Sequence, residues 1–340
     1  MLNQLKLAGS YYEMGNIQGK YLKIKINLPK PSSEMVDFSN RCEAQVKQFT
    51  PDLLEELRGV ADGAECDFDR LKTYFMHSPY LIGKYSNIPD KRSSPHCTVF
   101  AISKANTTDN NIIFARNYDW YPEYQDYFTV FHTYPTNKYS SIGFSDHVVG
   151  RFGGINHKGL AIAAVGVYLY NGEFTSGLLL NNIPRWILDN CKTTKEAEEF
   201  LRKAPHAEGV NYLVADKTGE IIKAETTPNK VSIINEEDGI LVAANHFQSV
   251  DMKGVQRKLT NLNGHTTFPR VDGLLSFSKN SKKPISVEMV KNVLRDHQIF
   301  LCEHSSDQIT AWSWVASLGT HTVFVCRGSP CKNKYTIINF

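Results

Sequence analysis

The apolar periodicity of the chain changes near residue 95, and no other feature limits the fold as much. Before it the pattern is helical. Leu53, Leu54, Leu57, Val60 and Ala61 fall on one stripe. Thr50, a good N-cap, and Pro51, at a first helical position, precede that stripe. Stretches 33–49 and 69–76 also read as helices. From Cys97 onward short β-branched and apolar runs take over, at 97–102, 111–116, 127–134, 160–168, 210–215, 220–225, 231–234, 240–244, 310–315 and 321–326. A polar turn around Asp109 joins the first two and predicts a hairpin; Leu318-Gly319 does the same for the last two. Helical runs at 179–189, 195–203, 270–277 and 286–295 come in blocks between these hairpins. A doubly wound fold needs strict alternation of strand and helix. This order predicts an α+β fold, antiparallel sheet with helices packed on it.

Composition narrows the function. Lys and Arg number 38 against 35 Asp and Glu, a net charge of +3 over 340 residues. That gives no basic stripe and argues against a nucleic-acid partner. No run approaches the length of a membrane span. The start lacks the apolar core of a secretory signal, and seven cysteines, an odd count, make no disulfide framework. These features predict a cytoplasmic, reducing setting. There is no G-x-G-x-x-G, P-loop, G-x-S-x-G or H-E-x-x-H. Gly150-Arg151-Phe152-Gly153-Gly154 reads as a turn, and Cys326 and Cys331 lack the second pair that a structural zinc site needs. No metal is expected.

The chemistry concentrates in two stretches. Pro95-His96-Cys97-Thr98-Val99 places a Cys at the head of a strand, directly after residues 83–96. That stretch, with two prolines, several serines and Asp90-Lys91-Arg92, predicts an exposed loop of the kind where chains are cut. On the partner strand, Arg116-Asn117-Tyr118-Asp119-Trp120 puts Arg and Asp three apart. Hairpin register would bring Arg116 beside the start of the first strand and leave Asp119 just past the end of its own. By itself, a Cys opening an apolar strand reads as a small buried hydrophobe. Tyr118, Trp120, Tyr121, Tyr124 and Tyr127 form an aromatic cluster, suited either to packing or to walling an acyl pocket.

Together these motifs resemble the N-terminal nucleophile (Ntn) hydrolases, specifically the acyl-coenzyme A:6-aminopenicillanic acid acyltransferase family (peptidase family C45), kin to choloylglycine hydrolase and penicillin V acylase. Residues 9–19 resemble its G-x-x-Y-E-x-G-x-x-x-G opening, and residues 54–64 its E-x-x-G-x-A-x-G-A helix. The resemblance covers nearly the whole chain. It implies a four-layer αββα sandwich of two antiparallel sheets. It also implies a precursor cut between His96 and Cys97 into a helical pro-segment, 1–96, and a catalytic part, 97–340, which together form one compact domain. Cleavage would free the Cys97 α-amine, whose ordinary pKa of about 7.7–8.0 suits it to act as base for its own thiol.

The other roles follow by position. Asp119 matches the carboxylate that holds the α-amine, and Arg116 the cation beside the nucleophile. Asn245, in Val242-Ala243-Ala244-Asn245, matches the Asn that donates to the oxyanion. Arg270 matches an Arg of a P-x-R pair. Asn156-His157-Lys158-Gly159-Leu160-Ala161 resembles an N-E-x-G-L-A segment with His157 in place of Glu, leading to backbone near Gly166 that would face the site. Tyr118, Trp120 and Gly166 are the candidate substrate contacts. His96 departs from the Gly common before the nucleophile, which bears on how fast the chain is cut. The implied activity is hydrolysis of a linear, non-peptide amide of an N-acylated amine or amino acid, a small molecule, with no cofactor. Two alternatives stay open: acyl transfer to an amine on the same site, and an uncut binding protein on the same scaffold. Family members form oligomers, so the resemblance extends to a homo-oligomer of unspecified number.

Overall fold

The computed structural model describes residues 2–22, 28–76, 97–146, 148–258, 266–306 and 308–340. The expected loop at 83–96, with His96, lies outside the described residues.

Among the described residues, the first part holds one strand and four helices: β1 (Asn3–Gly9), α1 (Tyr11–Leu22), α2 (Ser33–Phe49), α3 (Pro51–Gly63) and α4 (Phe68–Met76). Thr50 sits between α2 and α3, but its hydroxyl donates back to the Val46 carbonyl and makes no cap bond to α3. The glycine motifs gain a physical meaning here. A Cβ on Gly15 would lie 1.9 Å from the Glu56 carbonyl oxygen, and one on Gly59 would lie 2.0 Å from that of Tyr12. The backbones of α1 and α3 therefore touch. Gly59→Ala must push the helices apart, an overpacking expected to cost about 3 kcal/mol. Denaturant unfolding measures this; an unchanged midpoint would mean that the two backbones are not in contact.

The rest of the chain supplies β2 (Thr98–Ile102), β3 (Ile113–Trp120), β4 (Thr129–Pro135), β5 (Ser141–Ser145), β6 (Gly153–Asn156), β7 (Leu160–Gly166), α5 (Asn182–Asn190), α6 (Thr194–Lys203), β8 (Val210–Asp216), β9 (Ile221–Thr227), β10 (Lys230–Asn235), β11 (Ile240–Ala243), α7 (Thr267–Asn280), α8 (Val287–Val293), β12 (Ile309–Ser317), β13 (Thr322–Arg327) and β14 (Thr336–Ile338). One sheet has the order β1-β4-β5-β6-β7-β8-β9-β10; the other has β11-β2-β3-β12-β13-β14. Every pairing is antiparallel except β1 with β4, which is parallel.

The layers follow from burial on both faces of each sheet. Val99 and Ala101 point into the core between the sheets, while Phe100 and Ile102 point to the core under α7 and α8. A third core joins the large sheet to α1–α3, α5 and α6. The result is helix, sheet, sheet, helix, an αββα sandwich. Among the described residues no helix is long and apolar enough to cross a membrane. Gly153 and Gly154, expected in a turn, belong to β6. A Cβ on Gly154 would strike the Ile142 carbonyl oxygen at 2.3 Å, so the strand needs its glycine for close approach to β5.

The N-terminal helices are held by a buried polar knot as well as by apolar packing. Arg185 on α5 donates to Glu56 on α3 at 3.0 Å and to Asp189 at 2.7 Å. Tyr11 on α1 donates to the same Asp189 at 2.7 Å. All three charged residues are buried. Removing one partner would leave the others buried and uncompensated.

Candidate active site

The site is built at the start of β2. The β2–β3 ladder pairs Val99 with Arg116 and Thr98 with Asn117. Strand alternation then separates the two charged residues of the box. Arg116 shares the inter-sheet face with Tyr118. Asp119 faces the other way, towards α7. The strand runs further than its sequence pattern predicts: Asp119 is not beyond β3 but inside it, opposite Thr310 of β12. The bulge at Ala311 shifts the β12 register just past that pair.

Cys97 is 4% exposed, with its sulfur between the sheets. Burial pushes its thiol pKa up. The Arg116 charge opposes that shift, Asp119 adds to it, and hydrogen bonds from the Arg116 side chain and the Asp119 backbone N–H oppose it again. Arg116 also donates to the Phe152 carbonyl. Its guanidinium lies 5.2 Å from the Tyr118 ring centre and 5.3 Å from that of Trp312. Tyr118 stacks on Trp312 at 4.5 Å, and its hydroxyl donates to Asp146 at 3.2 Å. A cation thus sits against the sulfur in a wall of aromatic faces.

Asn245, just beyond β11, and Arg270, in the first turn of α7, close the other side. Arg270 Nη1 donates to the Cys97 carbonyl oxygen at 2.6 Å and also to Thr98 Oγ1. Its Nη2 donates to Asn245 Oδ1 at 2.8 Å. Asn245 Nδ2 in turn donates to the Gly166 carbonyl at 2.9 Å, and its backbone N–H donates to Thr267 Oγ1 at 2.9 Å. Arg270 is fully buried. Burial lowers its pKa to about 10, against the opposing pull of Asp119 and Cys97.

Asp119 is also fully buried. Its Oδ1 accepts from Thr310 Oγ1 at 2.6 Å; its Oδ2 has no partner among the described residues. Burial raises its pKa to about 7, held from going higher by Thr310, Arg270 and Arg116, while Glu303 adds to the rise.

Cys97, Arg116, Asp119, Asn245, Arg270 and Gly166 are therefore joined in one network. Tyr118 is in it through Arg116. Trp120 lies one ring further out, 6.0 Å from Tyr118 and edge-on to Tyr121 and Tyr124. His157 is not part of it: its ring contacts Ser140 and Tyr139, and Asn156 ties the Leu188 and Cys191 carbonyls. Sequence reasoning missed Thr310, Tyr168 and Glu208. Tyr168 senses the charges of both Cys97 and Glu208. Glu208 is buried, with Oε1 lacking a partner among the described residues. A lone Glu in His206-Ala207-Glu208-Gly209 carries no signal that burial awaits it.

Glu208 has its pKa raised to about 7 by burial, against a hydrogen bond from the Leu180 backbone. It and Asp119 hold their protons in the folded chain at pH values where the unfolded chain has released them. Their stabilising contribution is thus complete below about pH 4 and lost as the pH rises through about 7. Uncut protein is expected to melt at lower temperature at about pH 7.5 than at about pH 5. Glu208→Gln should flatten the dependence. An equally steep profile in that variant would show that Glu208 keeps no proton.

A family model for acyl-coenzyme A:6-aminopenicillanic acid acyl-transferase matches residues 106–330. That span includes Arg116, Asp119, Asn245 and Arg270 and begins after Cys97. No curated protein sequence matches the chain. Among solved structures, a mutant of conjugated bile acid hydrolase from Clostridium perfringens is similar at 15% identity and TM-score 0.50, over 72% of this chain and 92% of that one. Penicillin V acylase from Agrobacterium tumefaciens is similar at 19% identity and TM-score 0.48, over 72% and 86%. The Caenorhabditis elegans ortholog of N-acylethanolamine-hydrolyzing acid amidase is similar at 14% identity and TM-score 0.46, over 66% and 93%.

Proposed function

Because this chain belongs to the acyl-coenzyme A:6-aminopenicillanic acid acyl-transferase family and has the Ntn hydrolase fold, we propose that it is an N-terminal cysteine amidohydrolase that activates itself by cleavage between His96 and Cys97. The observation that carries this reading is the Arg270 fork. One guanidinium binds both the backbone of Cys97 and the side chain of Asn245, while the Arg116 charge opposes the rise that burial imposes on the thiol pKa. A structural cysteine needs no such setting; a nucleophile does.

Cleavage ahead of Cys97 creates an α-amine beside Asp119, whose Oδ2 gains an ammonium donor. The neutral amine takes the thiol proton, and Arg116 favours the thiolate. The sulfur attacks the carbonyl carbon of a linear N-acyl amide. Asn245 Nδ2 has a second N–H beyond the one given to Gly166, and it donates to the oxyanion. The leaving amine takes the proton from the α-ammonium, and water then cleaves the thioester. Tyr118 and Trp120 supply the apolar wall for the acyl group.

Cleavage divides residues 1–96 from 97–340, and we read the first part as a pro-segment that stays docked. Its β1 is a strand of the large sheet, and α1 and α3 join the Arg185 knot. The seven free thiols fit a reducing compartment.

The test is mass spectrometry of the protein quenched in acid during turnover of a slow N-acyl amide. An acyl mass added to the fragment that begins at Cys97 is the expected result; label found elsewhere, or none, would sink the reading. The family model's own description favours a second reading, acyl transfer. An added amine that is acylated faster than free acid forms would establish it.

A further inference from the structure

A second cluster of reactive side chains lies behind Asp119. Asn117 Nδ2 donates to the Leu294 and Leu301 carbonyls at 2.9 and 2.7 Å, which pins the stretch between them to β3. From that stretch and just after it, the rings of His297 and His304 meet edge to face, 4.7 Å between centres. Cys331 arrives from the turn after β13. One ligand atom from each of these three residues lies within 4.8 Å of the others. His297 Nδ1 lies 2.9 Å from the Cys302 carbonyl oxygen. That oxygen only accepts, so Nδ1 carries the proton and Nε2 keeps its lone pair. Metal-binding imidazoles are oriented in this way.

We propose that His297, His304 and Cys331 bind one zinc-class divalent cation, with water as the fourth ligand. Two imidazoles and a thiol suit such a cation and do not suit magnesium or calcium, which take oxygen ligands. Spacing alone hides the set, because Cys331 is far from the other two in the chain. On binding, the Cys331 thiol releases its proton to solvent and the thiolate and two neutral imidazoles take the cation, so affinity rises with pH. Arg295, which donates to the Pro330 carbonyl at 3.1 Å, opposes the cation, and Glu303 favours it.

The site has a consequence for the nucleophile. Glu303 stands between Cys302 and His304. Its carbonyl accepts from the Thr310 N–H at 2.7 Å, and its N–H donates to Thr310 Oγ1 at 2.9 Å. That hydroxyl is the one that donates to Asp119. A cation that fixes His304 also holds its neighbour Glu303, and through it the group that orients Asp119. It further staples this stretch to the 329–331 turn, where Ser329 already donates to the Glu303 carbonyl at 2.9 Å.

The experiment uses the full chain carrying Cys97→Ala, reduced and kept from air, titrated with Co²⁺. The expected result is one equivalent bound, with the intense visible bands of tetrahedral cobalt and a thiolate charge-transfer band, all displaced by Zn²⁺. His304→Ala, at the surface, should weaken binding at least about tenfold, the scale on which loss of even an outer-shell partner acts. Cys331→Ser should remove most of the charge-transfer band. Melting without metal controls for folding, and His297→Ala serves as second variant should His304→Ala melt early. Absence of the bands, or bands unchanged in these variants, would overturn the proposal.

Discussion

Cys97→Ala is expected to purify as one uncut chain and to lose amide turnover by about a thousandfold or more, since no acyl-enzyme can form. Wild-type protein should give two fragments meeting between His96 and Cys97. Intact mass under denaturing, reducing conditions, together with an amide hydrolysis assay, reads both effects. The physical reason is shared. In the proposed mechanism the sulfur is the nucleophile, its thiolate favoured by the Arg116 charge, and the base for it does not exist until the bond is cut. Alanine fits the same buried volume, so the variant should fold. A cut or active Cys97→Ala protein would refute both self-processing and the proposed nucleophile.

Arg270→Met should be nearly as severe by another route. The fork supplies donors to Cys97 O, Thr98 Oγ1 and Asn245 Oδ1, all buried, and its charge faces the buried Asp119. Methionine fills the volume and satisfies none of them. Breaking such a buried charge set costs about 3–5 kcal/mol. The start of β2 and the Asn245 amide both lose their anchor, and a misplacement of about 1 Å at reacting atoms costs on the order of a hundredfold in rate. Melting temperature and turnover should therefore fall together. Arg270→Lys keeps the charge but has no fork, so it should recover stability more than rate. A variant that loses neither would show Arg270 to be dispensable packing.

Much of the fold follows from local pattern. The helices at 33–49 and 51–63 and most of the long strands are amphipathic or apolar over several residues, and their periodicity survives in the structure. The shorter strands β5, β6 and β14 escaped notice because so few residues, Gly and Ser among them, carry no period of their own. Strand β1 escaped for a different reason. It is half exposed and pairs in parallel with β4, far away in the chain. The Arg116 position was legible because a hairpin register is a local property.

What the sequence determined by itself is thus the longer helices and strands, the β2–β3 register and, through the order of its motifs, the family. What only the tertiary structure decided is how distant groups share one buried volume. The Cys97–Arg270–Asn245 clamp joins residues up to 173 apart, and Asp119 turns towards α7 because it continues a strand whose end the sequence did not mark. His297, His304 and Cys331 meet through the same kind of closure. Backbone propensity acts over a few residues. Burial, which sets the charge on Asp119 and Glu208 and the need for every fork on Arg270, exists only once the sheets and helices have closed over them.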